Sequence, residues 1–341
     1  MKAIQIKKHG DVGVLSYSEI DEPVCPPDKI KIKIKACSVN HLDIWVRSGI
    51  PGLNLPLPLI LGSDGSGLIV EVGNKIKSFK IHDEVIVQPG TYDRDCIMVE
   101  NGKENFSKTY GILGETEDGV QAEYVILDPI NVYPKPKHLS FIEAASMPLV
   151  FMTSYQMLVE RAKLIKNEIV LIYGGTSGIG MAAIQIARDV GAKIITTVGN
   201  DNKIEYAMNL GADYVINHND DDMLKKIKDI TNRGVDVVFE HIGPLTWKNS
   251  LKSLSIGGRI VTCGATTGKS VSIDLRHLFM KQQTILGSTM SSISVFKKVI
   301  NKINDKKYLP YIDKVYKFKD VKEAHLRMEN RKHFGKIILT P

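Results

Sequence analysis

The chain has 341 residues, of which 43% are hydrophobic and 24% charged, as in ordinary globular proteins with room for two domains. No apolar run reaches the roughly 18 residues that a membrane span needs, and the opening MKAIQIKKHG lacks the apolar core of a secretory signal. Composition therefore argues against a membrane partner and favours a cytoplasmic location. The four cysteines stand singly, so neither a disulfide framework nor a cysteine zinc cluster is expected.

The net charge of +7 raises the question of nucleic-acid binding. The lysines, however, are spread along the chain and alternate with apolar residues, as in KIKIKIK at 29–35. The sequence lacks the arginine forks that read bases and the interleaved aromatic residues that stack on them. We interpret these lysines as solvated faces and expect no nucleic-acid partner.

Roughly the first 125 residues predict short strands separated by turns. Ile30, Ile32 and Ile34 alternate with lysines, which is the period of a half-buried strand. SGLIVEVG, DEVIVQPG and AEYVIL repeat this pattern between turn residues. We therefore predict an antiparallel β domain, and the proline-bearing DPINVYPKPKHLS marks the approach to a second domain.

From residue 141 the pattern changes to a helical stretch, FIEAASMPLVFMTSYQMLVERA, followed by apolar runs of strand length. The runs are EIVLIY, AKIITTV, ADYVIN, VDVVFE, GRIVTC and TILGST, and most intervals between them have the length of a helix. This alternation predicts an α/β domain with a doubly wound, parallel six-stranded sheet. We assign 1–145 to the β domain and 146–289 to the α/β domain, and expect 290–341 to return to the first.

The first of these runs leads directly into the loop GGTSGIG and then into a helix. Glycines in such a strand–turn–helix allow a tight turn, close approach of the backbone to a pyrophosphate, and close packing of helix on strand. The free N–H groups and partial positive charge of the helix N-terminus favour phosphate. We predict a nicotinamide dinucleotide site that contains Gly175, Thr176, Ser177, Gly178, Ile179 and Gly180.

The run AKIITTV should end beside the adenosine ribose, where an acidic residue would favour NAD. This sequence instead has Gly199 and Asn200 there, followed by Lys203, which suits the 2′-phosphate of NADP. Asp201 keeps NAD possible as the alternative. Asn200 could also serve as a helix cap and Lys203 as an ordinary surface lysine.

Taken in order, KACSVNHLDIWVRSG, LPLPLILGSDGSGLIVEVG, GGTSGIG, VDVVFEHIG, GGRIVTCGATTG, LGSTM and HFGKIIL resemble the medium-chain dehydrogenases/reductases over essentially the whole chain. The similarity is greatest to the quinone oxidoreductase branch and to an alcohol-dehydrogenase-like group. It implies a GroES-like β domain, a Rossmann domain, an active site in the cleft between them, and a homodimer or homotetramer associating through TILGST. It also implies that the cofactor contacts Thr153, Ile242, Gly243, Gly264, Ala265, Ser288 and Thr289.

Of the catalytic zinc ligands of this family, only a possible carboxylate, Asp64, has a counterpart here. On the family's motifs, Asn40 takes the place of a cysteine, Ser63 that of a histidine and Leu149 that of a second cysteine. The structural zinc lobe aligns with Asp93, Cys96, Val99 and Ser107, which include one cysteine only. Because zinc prefers thiolate and imidazole, we expect no zinc in either place. A weak metal site at His41 and Asp64 is the alternative.

Without a Lewis acid, the sequence favours hydride transfer from NADPH to an electrophilic small molecule, a quinone or an α,β-unsaturated carbonyl compound. We expect Asn40 to donate a hydrogen bond near the substrate oxygen, and Asp43, Ser63 and Asp64 to line the same site. Asp43 could instead be a structural cap. Two alternatives stay open, namely an alcohol or aldehyde dehydrogenase with a degenerate or absent metal site, and a nucleotide-binding protein with a structural, sensing or RNA-associated role.

Overall fold

The structure is a computed structural model that describes residues 1–93, 95–219 and 222–341. The chain divides into two compact units. Unit 1 comprises Met1–Leu149, Ser292–Asn304 and Leu309–Pro341, and unit 2 comprises Val150–Ser291 and Asp305–Tyr308. No helix among the described residues is long and apolar enough to cross a bilayer.

Unit 1 is mainly antiparallel β structure. Its strands are β1 (Lys2–Ile6), β2 (Ser16–Glu19), β3 (Ile30–Val39), β4 (Leu59–Ile60), β5 (Asp64–Val72), β6 (Glu84–Val87), β7 (Gly90–Thr91), β8 (Gly111–Ile112), β9 (Tyr124–Leu127), β10 (Val132–Pro134), β17 (Ile312–Lys317) and β18 (Lys336–Thr340). Its helices are α1 (His41–Ser48), α2 (Ile97–Glu100), α3 (Phe141–Ala145), α10 (Ile293–Asn304) and α11 (Val321–Glu329). The main sheet has the order β10-β6-β5-β3-β18-β17, with β9 also paired to β3.

Strand β3 lies at the centre of this sheet, and its isoleucines Ile30, Ile32 and Ile34 form part of the core, as their spacing predicts. The expectation that every lysine on this strand is solvated was wrong for Lys31, which is only 8% exposed. Its ammonium group lies 2.5 Å from Glu22 Oε1. This carboxylate supplies the partner of opposite sign that a buried charge needs. Lys33 and Lys35 are exposed, as expected.

Unit 2 contains the predicted parallel sheet, and its six strands follow the order β13-β12-β11-β14-β15-β16. They are β11 (Ile169–Ile172), β12 (Lys193–Val198), β13 (Tyr214–Asn217), β14 (Val235–Glu240), β15 (Leu254–Thr262) and β16 (Thr284–Gly287). Its helices are α5 (Gly178–Val190), α6 (Ile204–Asn209), α7 (Met223–Thr231), α8 (Pro244–Ser253) and α9 (Leu275–Met280). The strand order is that of a Rossmann sheet, so the predicted fold class is confirmed.

The stretch 141–162, which the sequence predicts as one helical segment, is broken in the structure. Helix α3 ends at Ala145, α4 (Pro148–Tyr155) begins after two intervening residues, and Gln156–Arg161 continues as a π-helix. Pro148 has no backbone N–H and is suited to the first position of a helix, so it separates α3 from α4. The existence of helical structure here was foreseen, but not its division.

Candidate functional site

A cluster of polar residues lies where three strands of unit 1 meet. Strand β3 ends at Val39, and its antiparallel neighbours begin at Asp64 (β5) and Lys336 (β18). Ser38 is opposite Asp64 in one register, and Val39 is opposite Ile337 in the other. The carboxyl end of β3 and the amino ends of both neighbours therefore bring Asn40, Asp64 and Lys336 together.

These residues form a closed network around the Asp64 carboxylate. Asp64 Oδ2 accepts hydrogen bonds from Ser38 Oγ at 2.9 Å, Asn40 Nδ2 at 2.8 Å and Lys336 Nζ at 3.2 Å. Asp64 Oδ1 accepts a bond from the backbone N–H of Leu149 at 2.7 Å. Lys336 Nζ also donates to Asn40 Oδ1 at 2.5 Å. We call Ser38, Asn40, Asp64 and Lys336 the Asp64 network.

Both charges of this network are withdrawn from water, since Asp64 is 0% exposed and Lys336 is 3% exposed. A buried ion pair is tolerated only when its remaining hydrogen-bonding capacity is satisfied, and this carboxylate accepts four bonds. The sequence analysis placed Asn40 and Asp64 here but missed Lys336. Its segment, HFGKIIL, was noticed as a family motif, but the pairing of β18 with β3 that positions the ammonium group is not a local pattern.

Asp43 supports the same region from helix α1. Its Oδ2 accepts a hydrogen bond from the Asn40 N–H at 2.7 Å, and its Oδ1 accepts one from the Gly62 N–H at 3.1 Å. Burial raises the pKa of this carboxyl to about 7, although the two N–H donors act in the opposite direction. Ser63 is buried as well, and its hydroxyl donates to Leu113 O at 2.8 Å. Asp43 and Ser63 thus have protein partners that hold the 40–43 turn and the 62–64 segment.

The side chains at the zinc positions do not fit a zinc ion. Asn40, Ser63 and Leu149 offer no thiolate or imidazole, and Asp64 already has an ammonium group as its partner. His41 packs edge-on against Trp45, with ring centroids 5.7 Å apart. No group of three or more His, Cys, Asp or Glu residues suited to a metal occurs in 1–93, 95–219 or 222–341. In the lobe aligned with the family's structural zinc, the Ser107 hydroxyl instead donates to Cys96 Sγ at 3.4 Å.

The predicted phosphate-binding loop of unit 2 has the close packing that its glycines suggest. A Cβ atom on Gly175 would lie 2.2 Å from Thr196 Oγ1, and one on Gly180 would lie 2.2 Å from Gly174 O. Helix α5 starts after Ser177, whose Oγ accepts a hydrogen bond from the Gly180 N–H at 3.1 Å. The loop is thus a glycine turn with no room for side chains at Gly175 and Gly180, and it leads directly into the N-terminus of α5. A helix N-terminus after such a turn is suited to pyrophosphate.

The Ile242–Gly243 turn follows strand β14 and is held by Glu240. The Glu240 carboxylate is 0% exposed and accepts the N–H of Ile242 at 2.7 Å and that of Gly243 at 3.2 Å. Gly243 has a φ of 100°, a conformation that favours glycine. The sequence analysis predicted this turn for the cofactor but missed Glu240, whose bonds fix its backbone.

The other residues predicted for the cofactor also lie in unit 2, and all except Thr153, on α4, are at or near the carboxyl ends of its strands. A Cβ on Gly264 would lie 2.8 Å from His241 O, so the chain after β15 passes close to the chain after β14. The buried Ser288 Oγ has no hydrogen-bond partner among the described residues, which suits a position facing a ligand. Thr153 is buried, with its hydroxyl 3.8 Å from Met290 Sδ. Ala265 and Thr289 follow β15 and β16 respectively.

The chain after β12 carries the residues predicted to select the cofactor. Gly199 and Asn200 precede a 3-10 turn, Asp201–Lys203. Asp201 Oδ1 accepts a hydrogen bond from Asn217 Nδ2 at 2.8 Å, so this carboxylate is held by the end of β13. His218 follows β13, and its ring would lie 3.6 Å from a Cβ on Gly199, a proximity that the sequence analysis did not foresee. Asn200 makes no side-chain cap bond, although it precedes the turn.

Known proteins share both parts of this architecture. An alcohol dehydrogenase GroES-like domain family matches residues 26–137, and a zinc-binding dehydrogenase family matches residues 178–305. Crotonyl-CoA carboxylase/reductase of Cereibacter sphaeroides is 30% identical, over 97% of this chain and 84% of its own. The chain belongs to the medium-chain dehydrogenase/reductase family.

Further relatives show how much chemistry this family covers. Quinone oxidoreductase of Mus musculus is 31% identical to this member, over 86% of this chain and 81% of its own. A crystal structure of an NAD-dependent alcohol dehydrogenase superposes with a TM-score of 0.96 at 37% identity, covering 100% of both chains. As a medium-chain dehydrogenase/reductase, the protein is a nicotinamide-dependent oxidoreductase. The relatives leave its substrate open, and the Asp64 network bears on that question.

Proposed function

We propose that the protein reduces quinones or α,β-unsaturated carbonyl compounds with NADPH and without catalytic zinc. The observation that carries this proposal is the Asp64 network. There the Asp64 carboxylate is paired with a buried ammonium group, and the residues around it do not form a ligand set for a metal. Zinc stabilises the alkoxide when an alcohol is oxidised, and a site without it lacks that means. Reduction of an acceptor that is already electrophilic needs hydrogen-bond donors instead.

The bound cofactor would supply the hydride, and the residues of this chain would supply binding and orientation. In unit 2, the 174–180 loop would hold the pyrophosphate, and Thr153, Ile242–Gly243, Gly264–Ala265 and Ser288–Thr289 would hold the nicotinamide half. In unit 1, Asn40 Nδ2 would donate its second hydrogen to the substrate oxygen as negative charge develops there. Asp43, Ser63 and Asp64, all buried with protein partners, would position Asn40 and not touch the substrate.

The preference for NADPH is supported by the chain after β12. Gly199 offers no carboxylate to a ribose 2′-hydroxyl, Asp201 is held by Asn217, and Lys203 follows one turn later. Lys203→Ala should weaken NADPH binding by about 1–3 kcal/mol, the range of a charge-assisted phosphate contact, and leave NADH binding nearly unchanged. Calorimetric titration measures both, with the exposed Lys252 on α8 as a control, Lys252→Ala. Equal losses for both cofactors would refute this role of Lys203.

The reaction itself is tested by following NADPH consumption with simple quinones and enones, before and after a chelator and with added zinc. We expect turnover with activated acceptors that neither treatment changes. Chelator-sensitive oxidation of alcohols would establish the alternative, an alcohol dehydrogenase, which the similarity to the NAD-dependent enzyme favours. Cofactor binding without any turnover would indicate a binding protein and overturn the proposal.

We also propose that two copies associate through strand β16. This strand pairs only with β15 among the described residues, so its other edge is open to another strand, although Gly287 O already accepts a hydrogen bond from Arg161 Nε at 2.8 Å. Leu275, Phe279 and Met280 on the preceding helix are between 66% and 73% exposed, and such apolar surface is typical of an interface. Sedimentation should show a homodimer or homotetramer, and a monomer at micromolar concentration would contradict it.

Four free cysteines favour a reducing, cytoplasmic setting.

A further inference from the structure

We propose that Lys336 is a positioning residue whose ammonium group orients and polarises the Asn40 carboxamide for its role as a donor. This inference rests on the proposed function, because it assigns a task to the residue that supports Asn40. It begins from two distances, 2.5 Å from Lys336 Nζ to Asn40 Oδ1 and 2.8 Å from Asn40 Nδ2 to Asp64 Oδ2.

The charges on either side of the carboxamide permit one orientation only. With Oδ1 toward the ammonium group and Nδ2 toward the carboxylate, both contacts are charge-assisted hydrogen bonds. A rotation by 180° would place the NH2 group against Lys336 and the oxygen against Asp64, so both contacts would become repulsive. Electrostatics therefore fixes the amide, and the second hydrogen of Nδ2 always points in the same direction.

That second hydrogen has no acceptor among the described residues, whereas every other polar group of the Asn40 side chain is bonded. Asn40 is 5% exposed, so only a small part of its surface is accessible to solvent or a ligand. A donor that is fixed before the substrate arrives needs no reorganisation during the reaction, which is the condition for effective stabilisation of a developing oxyanion.

Polarisation is the second effect of the ammonium group. A cation at the amide oxygen draws electron density from the nitrogen through the conjugated C–N bond, and successive hydrogen bonds strengthen one another in this way. Asp64 alone would have the opposite effect, because a carboxylate that accepts a hydrogen bond from Asn40 Nδ2 increases the electron density on this nitrogen. Lys336 offsets that effect, and its burial keeps water from screening the charge.

The kinetic experiment compares Lys336→Met with Lys336→Arg, using NADPH and a series of enones of increasing electrophilicity. We expect Lys336→Met to lower kcat by about 10- to 100-fold and to leave KM for NADPH unchanged. This decrease in kcat is smaller than the roughly 100- to 1,000-fold decrease that deletion of a whole oxyanion donor causes. The loss should be largest for the least activated enone, and Lys336→Arg should restore most of the rate. An equal loss for all acceptors, or no rescue by arginine, would overturn the polarising role.

A second readout does not depend on turnover. In protein labelled with 15N-asparagine, the side-chain NH2 signal of Asn40 is identified by its disappearance in Asn40→Ala. The signal should shift in Lys336→Met and return toward its original position in Lys336→Arg. If Lys336→Met does not fold because Asp64 is left unpaired, the same measurement compares Asp64→Asn with the double variant Asp64→Asn, Lys336→Met, so that Lys336 is again the only difference. A signal that stays in place would refute the inference.

The two readouts separate the inference from the proposed function. If no acceptor is reduced but the signal shifts as described, the proposed reaction is wrong and the role of Lys336 in orienting Asn40 stands. If acceptors are reduced and the signal does not respond to Lys336, the reaction stands and this inference fails.

Discussion

The Glu240 carboxylate gives a quantitative test of how the Ile242–Gly243 turn, which we propose contacts the cofactor, is held. Its Oε1 accepts the N–H groups of Ile242 and Gly243, and its Oε2 accepts the hydroxyls of Thr246 at 2.9 Å and Ser250 at 2.6 Å. No cation pairs with it within the ranges that the structure describes. The carboxylate is therefore held by donors alone, two of which are backbone groups that cannot turn away.

Glu240→Ala should be strongly destabilising, because it leaves two backbone N–H groups without an acceptor. Each unsatisfied buried donor costs about 1–3 kcal/mol, and the cavity left by the side chain adds about 1 kcal/mol. We expect the free energy of unfolding of unit 2 to fall by about 3–7 kcal/mol. In a unit of this size, each kcal/mol corresponds to about 2–4 °C in Tm.

Glu240→Gln should be much milder. Its amide oxygen can stay at the Oε1 position and keep both backbone bonds, while its NH2 group meets two hydroxyls that can rotate and accept. Ser250 Oγ already has another acceptor, Thr246 O at 3.0 Å, for its own hydrogen. We expect a loss of about 1 kcal/mol, similar to that of the control Thr246→Val, which removes one hydroxyl only.

Urea-induced unfolding of the three variants measures these differences, and calorimetric titration with NADPH shows whether the turn still binds. We expect Glu240→Ala to weaken cofactor binding and Glu240→Gln to retain it. The reasoning is refuted if the glutamine variant is as unstable as the alanine variant, because the negative charge would then matter more than the acceptor geometry.

Three further outcomes are expected. His325 is fully buried, and this burial, together with the nearby Arg47, lowers its pKa to about 3. On acidification the unfolded chain therefore binds the proton before the folded protein does. The contribution of the neutral His325 to stability is complete above pH 6.5 and should be lost toward pH 3, by about 1.4 kcal/mol per pH unit. Urea unfolding at pH 7 and pH 4.5 should show a smaller difference for His325→Phe than for the natural chain, and equal differences would exclude this origin. Gly180→Ala should reduce NADPH affinity at least about tenfold in calorimetry, since its Cβ would meet a backbone oxygen, whereas Gly287→Ala, with nothing within 4 Å, should not. Glu104→Gln should lower Tm by the equivalent of about 1 kcal/mol, because Glu104 accepts the N–H of Ile293 at the start of α10 and its charge favours that helix end; an unchanged melting curve would deny it this role.

The sequence predicted most reliably the structure that depends on local periodicity. The alternation along β3 and the six apolar runs of unit 2 appear as strands, because burial of one or both faces is written into neighbouring residues. Lys31 is an exception, because it is buried although its position in the alternation predicts exposure. Its charge is compensated by Glu22, and the alternation of apolar and charged residues does not reveal such a partner. The break at Pro148 could have been foreseen from the proline alone.

The candidate site was predicted only in part, for a physical reason. Asn40 and Asp64 stand in recognisable motifs, but Lys336 is 296 residues away from Asn40 along the chain. Only the pairing of β18 with β3 brings the ammonium group to the carboxamide, and strand register depends on the whole sheet. The proximity of His218 to Gly199 was not foreseen for the same reason, because the two residues follow the adjacent strands β13 and β12.

The central place of β18 affects how unit 1 is made in the cell. This strand is synthesised after almost all of its sheet, yet it lies between β3 and β17. Until it emerges from the ribosome, residues 37–39 of β3 and the whole of β17 lack this neighbour, whereas residues 30–33 of β3 can already pair with β9. An apolar strand with an open edge readily pairs with other chains. The nascent protein should therefore be most prone to aggregation just before residues 336–340 appear, and the Asp64 carboxylate acquires its positive partner only once Lys336 has been made.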